Sequence, residues 1–269
     1  MLHVREYGHS GPYVIVLHGG PGAAGHMAPV ARGLADSYRV LEPFQRGSGG
    51  TRLTVARHVA DLHEVIGSHA EGCRPALIGA SWGAMLALAY AAASPGSSGP
   101  LILVGCGTFD PVARSVLETT VADRTNAAIR AAELRAADEA DQEKRFKASA
   151  EATMPIYSVN IVDCPHREDK VDARAHHETW EDMLRLQAEG TYPAAFEEIK
   201  VPVLMVHGTF DPHPGRLIFE NLQRPIPHLE YCELEHCGHY PWLEEAAAET
   251  FFSIVREWLA RHTKSGTER

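Results

Sequence analysis

The stretch Leu77-Ile78-Gly79-Ala80-Ser81-Trp82-Gly83-Ala84-Met85 constrains this chain more than any other. A short apolar run ends in Gly-x-Ser-x-Gly, and an alanine-rich run follows at once. The pattern predicts a strand, a sharp turn and a helix, with Ser81 at the turn. So tight a turn puts Ser81 in a strained backbone conformation, its hydroxyl pointing away from the sheet. Gly79 and Gly83 are needed because a Cβ at either place would crowd the crossing of strand and helix. A strand–helix junction that happens to hold a serine reads the same over five residues, so the rest of the chain must decide.

Around that stretch, strands and helices alternate. Residues 2–7 suit a short strand, and Tyr13-Val14-Ile15-Val16-Leu17 is a continuous β-branched run of the kind buried on both faces. It leads into His18-Gly19-Gly20-Pro21-Gly22, after which residues 24–35 suit a helix. Residues 38–41 read as a strand and 45–50 as a glycine-rich loop, and Val55, Val59, Leu62 and Ile66 keep helical spacing. Residues 101–104 are another buried strand. From 108 to 199 only helical patterns appear, such as 127–140 and 178–188, with acid and base residues mixed along them. Strands return at 201–206 and 229–234, and Phe251, Ile254, Val255 and Trp258 mark a closing amphipathic helix. The alternation predicts a mostly parallel α/β sheet with helices on both faces, interrupted by a helical insertion.

At 269 residues the chain suits one large α/β domain, with or without an insertion. A formal net charge of −10 argues against nucleic acid as a partner, because phosphate binding needs a basic surface. Cys73, Cys106, Cys164, Cys232 and Cys237 form an odd set without a CxxC pair, which reads as reduced thiols and a cytoplasmic location. The sixteen histidines contain no HExxH, so no metal is expected; His176-His177 and His236/His239 are the clusters to check. Residues 1–10 lack the apolar core of a signal peptide, no run is long enough to span a membrane, and 263–269 read as a polar tail.

A serine hydroxyl needs a neighbouring base to attack a carbonyl, and the base needs an orienting acid. In a doubly wound sheet these belong at the carboxyl ends of strands. Asp211 follows the 203–206 strand, and His239 follows the last strand in Cys237-Gly238-His239-Tyr240-Pro241. Asp110 is the alternative acid and His236 the alternative base; Gly-His-x-Pro leading into the last helix favours His239. The oxyanion of a tetrahedral intermediate needs preplaced donors. The N–H of Trp82, just after the serine, is one. Gly20 is the other choice, since Pro21 has no N–H.

His18–Gly22, Gln45-Arg46-Gly47-Ser48-Gly49 and Gly79–Gly83 together resemble the proline iminopeptidase branch of the α/β-hydrolase superfamily. The order Ser81, Asp211, His239 and the Gly238-His239-x-Pro241 context agree with that resemblance. The resemblance implies an α/β-hydrolase core over 1–107 and 200–269, a helical cap over 108–199, and release of an N-terminal proline from a short peptide. The chain departs from the branch in three places. Phe44 replaces the usual aspartate before Gln45, the segment before His18 is too short for the usual first strand, and the cap is small. Caps in this branch carry acids that bind the substrate's free amine. Trp180-Glu181, with Glu178 one turn earlier, resembles such a site; both glutamates on a solvated helix face is the competing account.

The resulting expectation is a cofactor-independent serine hydrolase working through an acyl-enzyme, with a small-molecule or short-peptide substrate. Aminopeptidase action on proline or another small residue leads. An esterase or lactonase acting on a small metabolite is the close rival, and a non-catalytic ligand receptor on the same fold is the reading from another class. Carbon–carbon bond hydrolysis would use the same three residues. A serine at position 81 disfavours dehalogenase and epoxide hydrolase chemistry, which rely on an aspartate nucleophile.

Overall fold

A computed structural model describes residues 2–162 and 170–263, so Cys164 and the 264–269 tail lie outside the described residues. Seven strands form one sheet: β1 (Val4–Tyr7), β2 (Tyr13–Leu17), β4 (Arg39–Pro43), β5 (Ala76–Ala80), β6 (Leu101–Val104), β8 (Val203–Gly208) and β9 (Leu229–Leu234). Their spatial order is β1-β4-β2-β5-β6-β8-β9. Only β1 runs antiparallel, against β4; every other neighbouring pair is parallel. The N-terminal segment thus supplies a single antiparallel edge strand.

The central strands are apolar on both sides because helices cover both faces. Ile15, Leu17, Leu77, Leu101, Leu103, Val203 and Met205 pack on one face with α2 (Val55–His69), α3 (Trp82–Ala93) and α8 (Gly215–Gln223). Val14, Val16, Val40, Ile78, Ile102, Val104, Leu204 and Val206 pack on the other with α1 (Ala28–Leu34) and α9 (Ala248–His262). Successive strand residues alternate between the two layers, as the two-residue strand period requires. Helix α3 is buried around its whole circumference, from Trp82 to Ala91, which explains its run of alanines.

Between β6 and β8 lie α4 (Pro111–Arg124), α5 (Ala127–Ala137), α6 (Gln142–Tyr157) and α7 (Ala173–Ala188). Asp110, Asn126, Asp141 and Asp172 cap the four in turn, each side chain accepting first-turn N–H groups. Two expectations need correcting. The segment 108–199 is not free of strand, because β7 (Lys170–Val171) pairs antiparallel with β3 (Ala23–Ala24). For the same reason the helix expected from residue 24 begins only at Ala28: Ala23 and Ala24 are held extended by β7, and Gly25 adopts a φ of 90°. Both partners are two residues long, too short to read from a sequence. Among the described residues, no helix is long and apolar enough to cross a membrane.

Candidate active site

Ser81 joins β5 to α3 with φ 53° and ψ −118°, a conformation that L-residues rarely adopt. The flanking glycines explain how the chain reaches it. A Cβ on Gly79 would lie 2.2 Å from the Gly83 carbonyl oxygen, and one on Gly83 would lie 2.1 Å from that of Leu17. The strand and helix cross at backbone contact, and the turn carries Ser81 to the carboxyl end of the sheet.

The His18–Gly22 loop passes beside it, since a Cβ on Gly19 would lie 3.1 Å from Cβ of Ser81. Gly20 follows with φ 53°. Gln45 fastens this loop: its backbone N–H donates to His18 Nε2 at 3.1 Å and its side-chain amide to the His18 carbonyl at 2.9 Å. The indole N–H of Trp82 donates to the Gln45 side-chain oxygen at 2.7 Å, so one glutamine ties the loop to the first turn of α3. His18 Nε2 therefore accepts. Burial pushes the His18 pKa down to about 4, which keeps the ring neutral and able to do so. The backbone N–H of Trp82 sits in the first turn of α3, where no intrahelical acceptor exists.

Asp211 and His239 follow β8 and β9, and the His239 Nδ1–H donates to Asp211 Oδ2 at 2.6 Å. Both residues are buried. Burial alone would raise the Asp211 pKa, but the facing His239, His213 and His207 rings and a hydrogen bond from His213 outweigh it. The carboxyl is held well below the ordinary carboxylate range. Gly105, at the end of β6, lies against this pair with φ 52°; a Cβ there would meet His239 Nδ1 at 2.9 Å and Asp211 Oδ2 at 3.2 Å. His239 is also fixed through its backbone, whose N–H donates to the Tyr157 carbonyl at the end of α6 at 2.7 Å.

The alternatives lie elsewhere. Asp110 is occupied as the cap of α4 and bonds Asn221 from its other oxygen. His236 is exposed, with φ 51°.

A cavity of about 670 Å³ brings Ser81, Gly20 and His239 into one wall. Phe146, Lys147, Glu151, Met154 and Tyr157 of helix α6 line the same cavity. Glu178, Trp180 and Glu181 are not among the residues lining it. Glu178 is turned toward the core, accepting the Leu53 N–H at 2.8 Å and the Arg174 guanidinium at 2.6 Å. Glu181 is exposed and pairs with Arg52 and His177. Trp180 packs against the core beneath the Arg114 guanidinium, 5.6 Å away. Sequence spacing identified the amphipathic helix but not which way it faces. Glu178 and its neighbour Asp182, which accepts the Val55 N–H at 2.8 Å, fasten α7 to the start of α2 instead.

Sequence reasoning missed Gln45, Gly105, Glu151 and His213; the last two left no spacing signal, although His213 stands only two residues after Asp211. Asp211, His213 and His239 are also the set of possible metal ligands found among the described residues. Their nitrogen–oxygen separations of 2.6 and 2.8 Å are those of hydrogen bonds. Two ligands on one zinc ion at about 2.0 Å each would stand roughly 3.3 Å apart. His176 and His236, from the other histidine clusters, are absent from the set.

Similarity to known proteins gives the wider context. The sequence profile described as "Alpha/beta hydrolase family" matches residues 14–251. A proline iminopeptidase of Lactobacillus helveticus is 26% identical over 277 residues, covering 93% of this chain and 90% of the relative. The 2-hydroxy-6-oxononadienedioate/2-hydroxy-6-oxononatrienedioate hydrolase 1 of Dechloromonas aromatica is 25% identical over 282 residues, covering 96% of this chain and 90% of its own. Among solved structures, VinJ superposes with a TM-score of 0.70 at 22% identity, covering 96% of this chain and 94% of that one.

Proposed function

The chain belongs to the alpha/beta hydrolase family, and from that premise we propose that it is a serine hydrolase working through an acyl-enzyme. Ser81 attacks the substrate carbonyl, His239 takes the hydroxyl proton on Nε2 and returns it to the leaving group, and Asp211 holds the ring through Nδ1. The Gly20 and Trp82 N–H groups receive the oxyanion. Water then hydrolyses the acyl-enzyme by the same steps in reverse order of roles, with no cofactor required. One observation carries this reading: a serine at a strained strand–helix elbow shares a cavity wall with a histidine that is hydrogen-bonded at 2.6 Å to a buried carboxylate.

In this reading residues 108–199 form a cap, with α6 as its substrate-facing helix. The preferred substrate is a short peptide or amide with a small N-terminal residue, proline above all, as in the named iminopeptidase relative. Glu151 of α6, exposed at the cavity and 4.0 Å from the Lys147 ammonium, is the carboxylate there that we assign to a free ammonium group, which would displace Lys147 as its partner. The second reading, an esterase or lactonase, draws on the apolar residues of the same cavity, which include Phe146, Met154 and Trp242.

A prolyl arylamide with a free amine, its N-acetyl twin and a short-chain aryl ester separate the two, with Ser81→Ala as blank. The expected result is turnover of the free amine, loss of turnover on acetylation, and a KM raised by Glu151→Gln for the amine substrate only. Turnover of the ester alone transfers the assignment to the second reading. Wild-type rates in Ser81→Ala overturn the mechanism.

A further inference from the structure

His213 lies at the back of the hydrolytic arrangement, and nothing in the steps above uses it. Its ring Nδ1 is 2.8 Å from Asp211 Oδ1, and its backbone N–H donates to the same oxygen at 3.0 Å. A carboxylate only accepts, so His213 Nδ1 carries the proton. The His213 ring stacks on the His239 ring, with centroids 4.7 Å apart and planes 16° from parallel. Oδ2 of the same carboxylate serves His239, so the two rings hang from the two oxygens of one acid, face to face.

His207, on β8, completes the support. Its Nε2 lies 3.0 Å from the His213 carbonyl and 3.3 Å from Asp211 Oδ2, two groups that can only accept, so Nε2 donates. Unlike His207, which is sealed in the core, His213 borders open space on its far side. A second cleft of about 370 Å³ is lined by His213 and Asp211 together with Arg216, Glu220 and Glu233. Solvent protons therefore have access to His213 from behind the site, whether or not the substrate cavity is filled.

We propose that His213 is a positioning residue for the hydrolytic site. By clamping Asp211 Oδ1 and stacking on His239 it holds the acid–base pair in line, and a proton taken up through the second cleft draws the Asp211 charge away from His239. The inference rests on the assignment of Ser81, His239 and Asp211 as nucleophile, base and acid.

The physical argument has two parts. With His213 neutral, Asp211 is a full counter-charge for the imidazolium that forms when His239 takes the Ser81 proton. With His213 protonated, that imidazolium forms against a stacked cation and shares its carboxylate, so the attack slows. The other groups facing this cluster do not substitute for His213. Tyr157 presents a ring 6.1 Å from it, from α6. Arg124, from α4, spends its guanidinium on the Ile156 and Phe210 carbonyls. Burial holds the Cys106 and Cys237 thiols protonated.

The test uses a fluorophosphonate, which needs no knowledge of the natural substrate. Ser81 Oγ attacks phosphorus, the P–F bond breaks, fluoride leaves, and the Oγ proton passes to His239. The mass increase of the protein reports the rate. The variants are Ser81→Ala, His213→Ala and His213→Asn, each checked for folding by circular dichroism. Asparagine places an amide N–H near the position of Nδ1 but cannot titrate.

The inference expects His213→Ala to label about 10- to 100-fold more slowly than wild type, the range for losing a hydrogen bond to a charged group. It expects His213→Asn to recover most of that rate at mildly alkaline pH, because its amide N–H replaces the donor to Asp211 Oδ1. On the acid side, His213→Asn should keep a larger fraction of its own alkaline rate than wild type does, because one of the two inhibitory protonations is gone. Should His213→Ala fail to fold, the Asn profile decides alone. Superimposable pH profiles for wild type and His213→Asn overturn the inference while leaving the serine hydrolase reading in place. Absence of Ser81 labelling in wild type overturns the hydrolase reading and this inference with it.

Discussion

Two aspartates follow strand ends on this half of the sheet, and their surroundings differ in kind. Asp110 has one oxygen on the first turn of α4 and the other on Asn221, which is the work of a helix cap. Asp211 accepts from two histidine rings and a backbone N–H in a buried setting, with Gly105 leaving the space for its ring partner. Replacement of Asp211 by asparagine should therefore lower kcat by about three to four orders of magnitude, with KM nearly unchanged, because the wrong tautomer of His239 is then held. Asp110→Asn keeps a cap oxygen and should leave kcat within a factor of about two, at a stability cost under about 1 kcal/mol. Steady-state kinetics beside thermal melts of the two variants would check both; the opposite pattern would move the acid to Asp110. Nothing in the sequence around either residue separates them so clearly, since both are ordinary turn aspartates until their partners are known.

Glu244 shows how one element is coupled to another. Its buried carboxylate accepts the N–H groups of Val159, Asn160 and Gly238, joining the end of α6 to the loop that carries His239. The close packing there is tight: a Cβ on Gly238 would lie 2.2 Å from the Tyr157 carbonyl oxygen. Glu244→Ala leaves the buried Gly238 N–H and the part-buried Val159 and Asn160 N–H groups without that partner, a loss of about 3 kcal/mol in all. The expected result is a drop in Tm of about 10 °C, from roughly 2–4 °C per kcal/mol for a chain of this class. A fall in kcat should accompany it, since His239 hangs from the same loop. Hydrogen exchange should accelerate at 159–160 and 238–239 in particular; uniform acceleration across the sheet would mean that Glu244 acts on global stability alone. The residues that form α6 and the His239 loop are each readable as a helix and a turn. Their junction is not, because its partners lie 84 and 85 positions apart in the chain.

At the scale of the whole molecule, buried neutral histidines make stability depend on pH. Burial holds His18 and His58 near a pKa of about 4, against an ordinary value of 6.5. Between those values the unfolded chain binds protons that the folded rings refuse. The stability from these two sites is therefore complete above about pH 6.5 and is lost as pH falls toward 4, by about 3 kcal/mol for each ring at the limit. Melts from pH 7.5 down to 5 should show a falling Tm, and His58→Gln, which keeps a hydrogen-bonding amide for the Thr179 hydroxyl, should flatten the dependence. A Tm that stays level across this range in wild type would contradict it.

What the sequence determined by itself was the layered sheet and the elbow. Buried parallel strands demand continuous β-branched runs such as Val14–Leu17, and the crossing at Ser81 demands glycine at 79 and 83; both requirements are local and leave a mark in the spacing. Tertiary structure alone decided which face of α7 is buried, which removed Glu178 and Glu181 from the cavity and brought Glu151 of α6 into it. It also decided that His213 stacks on His239, and that Gly105 lies against His239 and Asp211. The physical reason is common to all these cases. Backbone conformation is set by neighbours along the chain, whereas the partner of a polar side chain is set by whichever distant element packing brings within hydrogen-bond reach.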